Sequence, residues 1–204
     1  MTAPADLMSP LASQLQDLAA RRDIADAACR YMRGLDRLDR AMLLSAFHAD
    51  AYVDCGLMQG DAAAFGDFAL DLLGGMHATH HLLGQMQIVV LGPDRASAES
   101  YFQAYHDIAG PAGDRRDLVI AGRYVDEYTC NKGEWRIAAR TLITDWVTDR
   151  PGNRAFFADN PAAPVGRRDG RDFSDTRQWP PKVMAMLARP CGKDNTQAMN
   201  SEAS

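Results

Sequence analysis

Between residues 78 and 148 the chain carries four long strand-like segments in succession, with no stretch between them long enough to be a helix. They run from Ala78 to Leu91, Ala96 to Ile108, Asp117 to Cys130 and Glu134 to Thr148. The second shows its period most plainly. Ala96, Ala98, Ser100, Phe102, Ala104 and His106 put small or apolar side chains on one face, the alternation of a strand with one buried side. The connections read Gly92-Pro93-Asp94, Gly110-Pro111-Ala112-Gly113-Asp114 and Asn131-Lys132-Gly133, and turn residues of this kind in loops this short make hairpins.

The helical patterns lie upstream. Leu11, Leu15, Leu18, Ile24, Ala28, Tyr31 and Leu35 recur at helical spacing, which predicts a long first helix from Leu11 to about Leu35 with this stripe inward. Gly34 weakens its last turn, and Asp39 is placed to cap a second, short helix through Ala41, Leu44 and Phe47. The two should form a hairpin. Ala51 to Cys55 reads as a short strand, broken by Gly56 and Gly60, and Ala62 to Leu73 as a third helix closed by Gly74 and Gly75. Helices first and long adjacent strands afterwards predict an α+β domain. Its curved antiparallel sheet would wrap the N-terminal helices and leave a conical cavity between the two layers.

Composition narrows what such a domain could do. With 22 basic against 27 acidic residues, a net charge of −5 and no cluster of Lys and Arg, neither nucleic acid nor an anionic membrane is an expected partner. No apolar run approaches a membrane span and no leader-like segment opens the chain, so a cytoplasmic protein is expected. Cys29, Cys55, Cys130 and Cys191 are far apart with no CxxC pair, which reads as reduced, mostly buried thiols. From Arg150 the texture changes, with six of the ten prolines and a polar ending from Asn195 to Ser204. The domain should therefore occupy residues 1–149, and residues 150–204 an irregular extension. Phe156, Phe157, Phe173, Trp179, Met184 and Leu187 are too apolar for that extension to float, so it should pack over the cavity mouth or on a neighbouring subunit.

An apolar cavity becomes chemically useful only when titratable groups enter it. Asp36 continues the stripe of Ala28 and Met32 by one more helical turn, beside the buried face. Alone there a carboxylate is costly; the bland alternative is a helix-end carboxylate in water. His77, His80 and His81 open the first long strand. Simple alternation turns His80 inward, but a bulge at Gly84 would put His81 and Leu83 on the face of Met86, Ile88 and Val90, and the bulged register is preferred. The three histidines on one strand do not converge on a metal. His106 closes the inward face of its strand, as a satisfied core residue or a pocket base. Tyr31 shares the helix of Asp36. Tyr101, Tyr105, Tyr124 and Trp146 add aromatic area. The chain lacks GxSxG, phosphate-loop, GxGxxG and HExxH patterns, which leaves proton transfer by Asp, His and Tyr as the chemistry to expect, with no cofactor and no metal.

The run from Ile24 to Cys55, IADAACRYMRGLDRLDRAMLLSAFHADAYVDC, resembles the opening of the SnoaL-like branch of the nuclear-transport-factor-2-like superfamily, and the resemblance extends over about Asp17 to Asp149. Scytalone dehydratase, bile acid 7α-dehydratase and hexachlorocyclohexane dehydrochlorinase are members. The resemblance implies that Asp36 orients His81 as general base or acid, that His106 is a second pocket histidine and that Tyr31 is a pocket tyrosine. Thr144 stands where the bile acid enzyme has an arginine, with Arg140 nearby, which argues against a steroid. The superfamily also holds formaldehyde-releasing lyases of lignin-derived diarylpropanes. The expected activity is a cofactor-independent lyase eliminating water, with or without formaldehyde, from a hydrophobic aromatic or polycyclic alcohol. Tyr101, Tyr105, Tyr124, Arg140, Trp146, Phe47 and Met86 are the expected substrate contacts. An isomerase or polyketide-type cyclase, and a non-catalytic binding or assembly module, are the alternatives. The outer sheet face, with Val119, Val125, Ile137 and Ile143, points to a homo-oligomer. The resemblance favours a trimer over a dimer.

Overall fold

A computed structural model describes residues 5–188 of the chain, which divide into two compact units between Pro164 and Val165. The first unit opens with helix α1 (Ala5–Arg37) and the short α2 (Arg40–Ser45). Leu38 takes a left-handed conformation at the corner, and the Asp39 carboxylate caps α2 by accepting from the Met42 N–H at 2.9 Å. Gly34 does not weaken α1 but permits the corner. A Cβ there would lie 2.6 Å from the Leu43 backbone, so only glycine lets the two helices approach this closely. The second helix buries Leu43 and ends at Ser45, and Phe47 opens a strand instead of closing the helix.

Two strands follow, β1 (Phe47–Asp54) and β2 (Gln59–Asp61), then α3 (Ala62–Gly74), capped by Asp61 through the Ala64 N–H at 2.8 Å. The four long segments form β3 (Ala78–Val90), β4 (Arg95–Ala109), β5 (Arg115–Asn131) and β6 (Glu134–Pro151). They make one six-stranded sheet in the order β2-β1-β6-β5-β4-β3. All pairings are antiparallel except β1 with β6, which is parallel. That parallel pair was not legible, because β1 reaches β6 only after the sheet has curled. Helix α1 packs against both β3 and β6, so the sheet wraps around it and the core fills the space between.

The buried face of α1 is Ala20, Ile24, Ala27, Ala28, Tyr31, Met32 and Leu35. Leu11, Leu15 and Leu18 are 49%, 57% and 62% exposed. Six residues separate Leu18 from Ile24, which at 3.6 residues per turn is out of phase, so the first three leucines face away from the sheet. In β3 the register shifts between Leu83 and Met86, the bulge required at Gly84. His81, Leu83, Met86, Ile88 and Val90 turn inward, while His77 and His80 are exposed. A second shift, between Glu127 and Tyr128, inserts Ala138 into β6. It carries Ile137 to full burial in the core rather than to the outer face. Cys29 is exposed, Cys55 and Cys130 are partly so, and Cys191 lies outside the described residues. No described helix is long and apolar enough to cross a membrane.

Past β6 the first unit ends in a short helix, α4 (Ala155–Asp159), on which Phe156 and Phe157 are exposed. The second unit contains α5 (Phe173–Thr176) and α6 (Pro181–Leu187). Its Asp172 carboxylate caps α5 and also accepts from the Arg167 N–H at 2.8 Å. Phe173 meets Trp179 edge-on at 4.6 Å. Phe173, Trp179, Met184 and Leu187 are all exposed in the single chain.

Candidate active site

The last turn of α1 lies over the start of β3, and there a helix carboxylate meets a strand imidazole. Asp36 Oδ1 is 2.7 Å from His81 Nδ1. The His81 backbone N–H donates to both carboxylate oxygens, at 3.1 and 2.9 Å, and the Thr79 hydroxyl donates to Oδ1 at 3.1 Å. Burial works to raise the Asp36 pKa, but the hydrogen bonds and charge of His81 and the Thr79 hydroxyl outweigh it and hold the carboxyl below its ordinary value. An ionised carboxylate only accepts, so Nδ1 carries the proton and Nε2 of the neutral ring is left as an acceptor.

Across the strand pair stands His106, 5% exposed, its ring edge-on to His81 with centroids 5.5 Å apart. Burial, reinforced by His81, pushes its pKa down to about 4, so it is neutral at physiological pH. Its Nδ1 is buried without a hydrogen-bond partner among the described residues.

Both imidazoles face a cavity of about 380 Å³ lined by Tyr31, Phe65, Phe68, Phe102, Tyr124 and a ring of aliphatic side chains from α3, β5 and β6. Leu57 stands at its rim, 78% exposed. No Lys, Arg, Asp or Glu is among the lining residues. Burial holds the phenols of Tyr31 and Tyr124 protonated, with pKa values above the ordinary tyrosine value.

Behind these two tyrosines lies a sealed ion pair. Arg140 and Asp126, each 1% exposed, are joined by two 2.7 Å hydrogen bonds. The guanidinium lies against both the Tyr31 and Tyr124 rings, 4.1 Å from each centroid, where the two rings meet edge-on. Arg140 therefore faces Asp126 instead of the cavity.

A SnoaL-like domain profile matches residues 16–141. The chain belongs to the SnoaL-like domain family, within the nuclear-transport-factor-2-like superfamily. Solved structures share the fold. A type 2 hexachlorocyclohexane dehydrochlorinase superposes with a TM-score of 0.63 at 21% identity, over 69% of this chain and 95% of that one. The type 3 dehydrochlorinase from Novosphingobium barchaimii gives 0.62 at 17%, over 69% and 96%. A scytalone dehydratase candidate from Novosphingobium aromaticivorans gives 0.60 at 21%, over 69% and 93%. No curated protein matches the chain.

In this SnoaL-like domain His81, His106 and Tyr31 line one cavity, with Asp36 off its wall and bonded to His81, and of the seven expected substrate contacts only Tyr124 joins them there. Phe47 is locked in the core, 5.7 Å from Tyr31 and 6.0 Å from Phe65. Met86 packs against the core without reaching the cavity wall. Tyr101 and Tyr105 flank the inward Phe102, Ala104 and His106 in sequence, so the alternation that turns those residues in turns the tyrosines out. Tyr101 is 41% exposed, and the Tyr105 hydroxyl donates to Asp117 at 2.8 Å. Trp146 pairs with Ala121 beyond a register shift and is 47% exposed. Two groups were missed. The α3 wall, with Phe65, Phe68 and Leu72, was signalled by the apolar density of that helix. Thr79 was signalled by its place two residues before His81 on the same face. Among the described residues no group of three or more His, Cys, Asp or Glu is placed to hold a metal.

Proposed function

We propose that the domain is a cofactor-independent lyase that eliminates water from a hydrophobic aromatic alcohol by general acid–base catalysis. The observation that carries this reading is His81, with Nδ1 tied to Asp36 at 2.7 Å and the ring on the wall of an uncharged cavity. Nε2 removes the proton next to the carbon that bears the hydroxyl. The electron pair of the broken C–H bond forms the alkene as the C–O bond breaks. The imidazolium, held by Asp36, returns its proton to the departing oxygen, which leaves as water. In this reading neutral His106, its ring centroid 5.5 Å from that of His81, hydrogen-bonds the leaving hydroxyl. No electrons enter or leave. A positioned imidazole supplies about a hundred- to ten-thousandfold of rate.

The finer reading is a diarylpropane diol with a para-hydroxyaryl group. Loss of the phenolic proton and the benzylic hydroxide gives a quinone methide and water. Removal of the hydroxymethyl O–H proton then breaks the adjacent C–C bond, and its electron pair restores the aromatic phenolate as formaldehyde leaves. The sum is diol to stilbene, water and formaldehyde. Support comes from the volume of about 380 Å³, the aromatic walls and the lack of charged lining, together with the dehydratase and dehydrochlorinase neighbours. Incubation of the purified protein with phenolic diols, followed by mass spectrometry and a formaldehyde assay, tests both levels. Loss of water alone supports the coarser reading, and added formaldehyde the finer. Product of unchanged mass would replace the lyase by an isomerase or cyclase.

We also infer a homo-oligomer, a trimer on the family resemblance. Leu82, Tyr101, Val125 and Trp146 leave an apolar outer sheet face exposed. A monomeric mass by light scattering would refute this.

A further inference from the structure

We propose that Thr79 is a positioning residue of the Asp36–His81 pair, its hydroxyl fixing the carboxylate that in turn fixes the imidazole. The inference deepens the lyase reading and rests on it. A carboxylate at a helix end turns freely about its last torsion unless several donors fix it. Here three donors converge on Asp36 from one short stretch of β3. The His81 ring and backbone supply two, and Thr79 supplies the third, on the same Oδ1 that faces Nδ1. Thr79 and His81 are two apart on one strand, so both side chains point inward and approach that oxygen from adjacent positions.

The strand register places Thr79 directly opposite His106. Residues facing one another across an antiparallel pair are side-chain neighbours, so position 79 neighbours the second imidazole as well as bonding the carboxylate. Its hydroxyl has one proton, used on Asp36, and lone pairs left over. Valine at this position would keep the branched outline and lose only this chemistry.

Of the titratable groups, His106 on β4 stands edge-on to His81, and Tyr31, Tyr124 and Cys55 share the cavity wall with it. Of the groups bearing on Asp36, Thr79 is a neutral donor that lowers its pKa. Removing that donor raises the pH at which the carboxylate takes a proton.

The test is a carboxyl carbon-13 NMR titration of the full chain, with the Asp36 signal assigned by its absence in Asp36→Asn. It is run beside pH profiles of kcat/KM on a phenolic diol. Thr79→Val should move the Asp36 midpoint and the acid limb of kcat/KM to higher pH. It should lower kcat roughly ten- to a hundredfold, the worth of a hydrogen bond to a charged group, with KM little changed. Thr79→Ser should restore all three. A residue that merely fills space would lower the melting temperature and leave the midpoint where it is. An unmoved Asp36 midpoint in Thr79→Val, or the same displacement in Thr79→Ser, overturns the proposal. If His81→Gln keeps full turnover, or no diol reacts with the wild type, the lyase reading fails. The carboxyl titration then still decides whether Thr79 holds Asp36.

Discussion

Replacing His106 by phenylalanine should remove one specific acid sensitivity of the fold. The ring is 5% exposed, and burial together with His81 lowers its pKa from 6.5 to about 4. The unfolded chain therefore takes up this proton near pH 6.5 and the folded chain only near 4. Between those values the unfolded state binds more protons, so stability falls as pH falls through the window. The penalty is absent above about pH 6.5 and complete below about 4. At about 1.4 kcal/mol per pH unit the gap amounts to about 3 kcal/mol, a sizeable share of the roughly 5–15 kcal/mol that holds a typical domain together. The assay is denaturant unfolding of wild type and His106→Phe between pH 4 and 7.5. Any packing change in the variant shifts its whole curve, so only the pH-dependent part of the difference counts. Asp107, pulled to about 2 by Arg115 and Arg154 against the opposing effect of its burial, loses its contribution only below about pH 4, and in both proteins alike. A stability difference that stays flat across the window would show that the buried imidazole is not the neutral group described here.

Asp36→Asn and His81→Gln should each lower kcat by about a hundred- to ten-thousandfold with little change in KM, measured on whichever alcohol the wild type dehydrates; a pure KM effect would make them binding residues. Arg140→Met should cost roughly 3–5 kcal/mol because it strands the Asp126 carboxylate, and Arg140→Met with Asp126→Leu should recover most of that; denaturant melts of the three proteins decide, and a double variant no better than the single refutes the ion-pair argument. Gly34→Ala should destabilise by roughly 1–3 kcal/mol as α1 and α2 are forced apart, and an unchanged melting temperature would show that the corner relaxes.

Regular period made the frame readable, and interruptions of period hid the rest. The four long strands, α3 and the inward turn of His81, through a bulge that Gly84 announced, all follow from spacing; the meeting of His81 with Asp36 was implied by the family resemblance, since spacing alone left Asp36 equally a helix-end carboxylate in water. Tyr101 and Tyr105 were misplaced because aromatic area was weighed without applying to them the alternation already used for His106. Ile137 and Trp146 were misplaced for a different reason. Each lies beside a register shift in β6, and β6 carries no glycine between Glu134 and Thr148 to mark either shift. The partner of Arg140 was beyond reach, since Asp126 is brought opposite it only by one of those shifts.

The electrostatics of the site follow from where these charges are confined. Arg140 and Asp126 cancel one another behind the Tyr31 and Tyr124 rings, so the floor beneath the cavity adds no net charge. Asp36 is then the charge that acts on the two imidazoles, and it acts unequally. It is 2.7 Å from His81 Nδ1, whereas on His106 its attraction is outweighed by burial and by the neighbouring ring. Two imidazolium ions with centroids 5.5 Å apart would repel each other with little water to screen them. Of the two imidazoles, His81 is therefore the one that Asp36 holds, and His106 stays neutral beside it. The proposed elimination uses that division, because the proton taken from carbon would be held at one imidazole and then given to oxygen in the same small space.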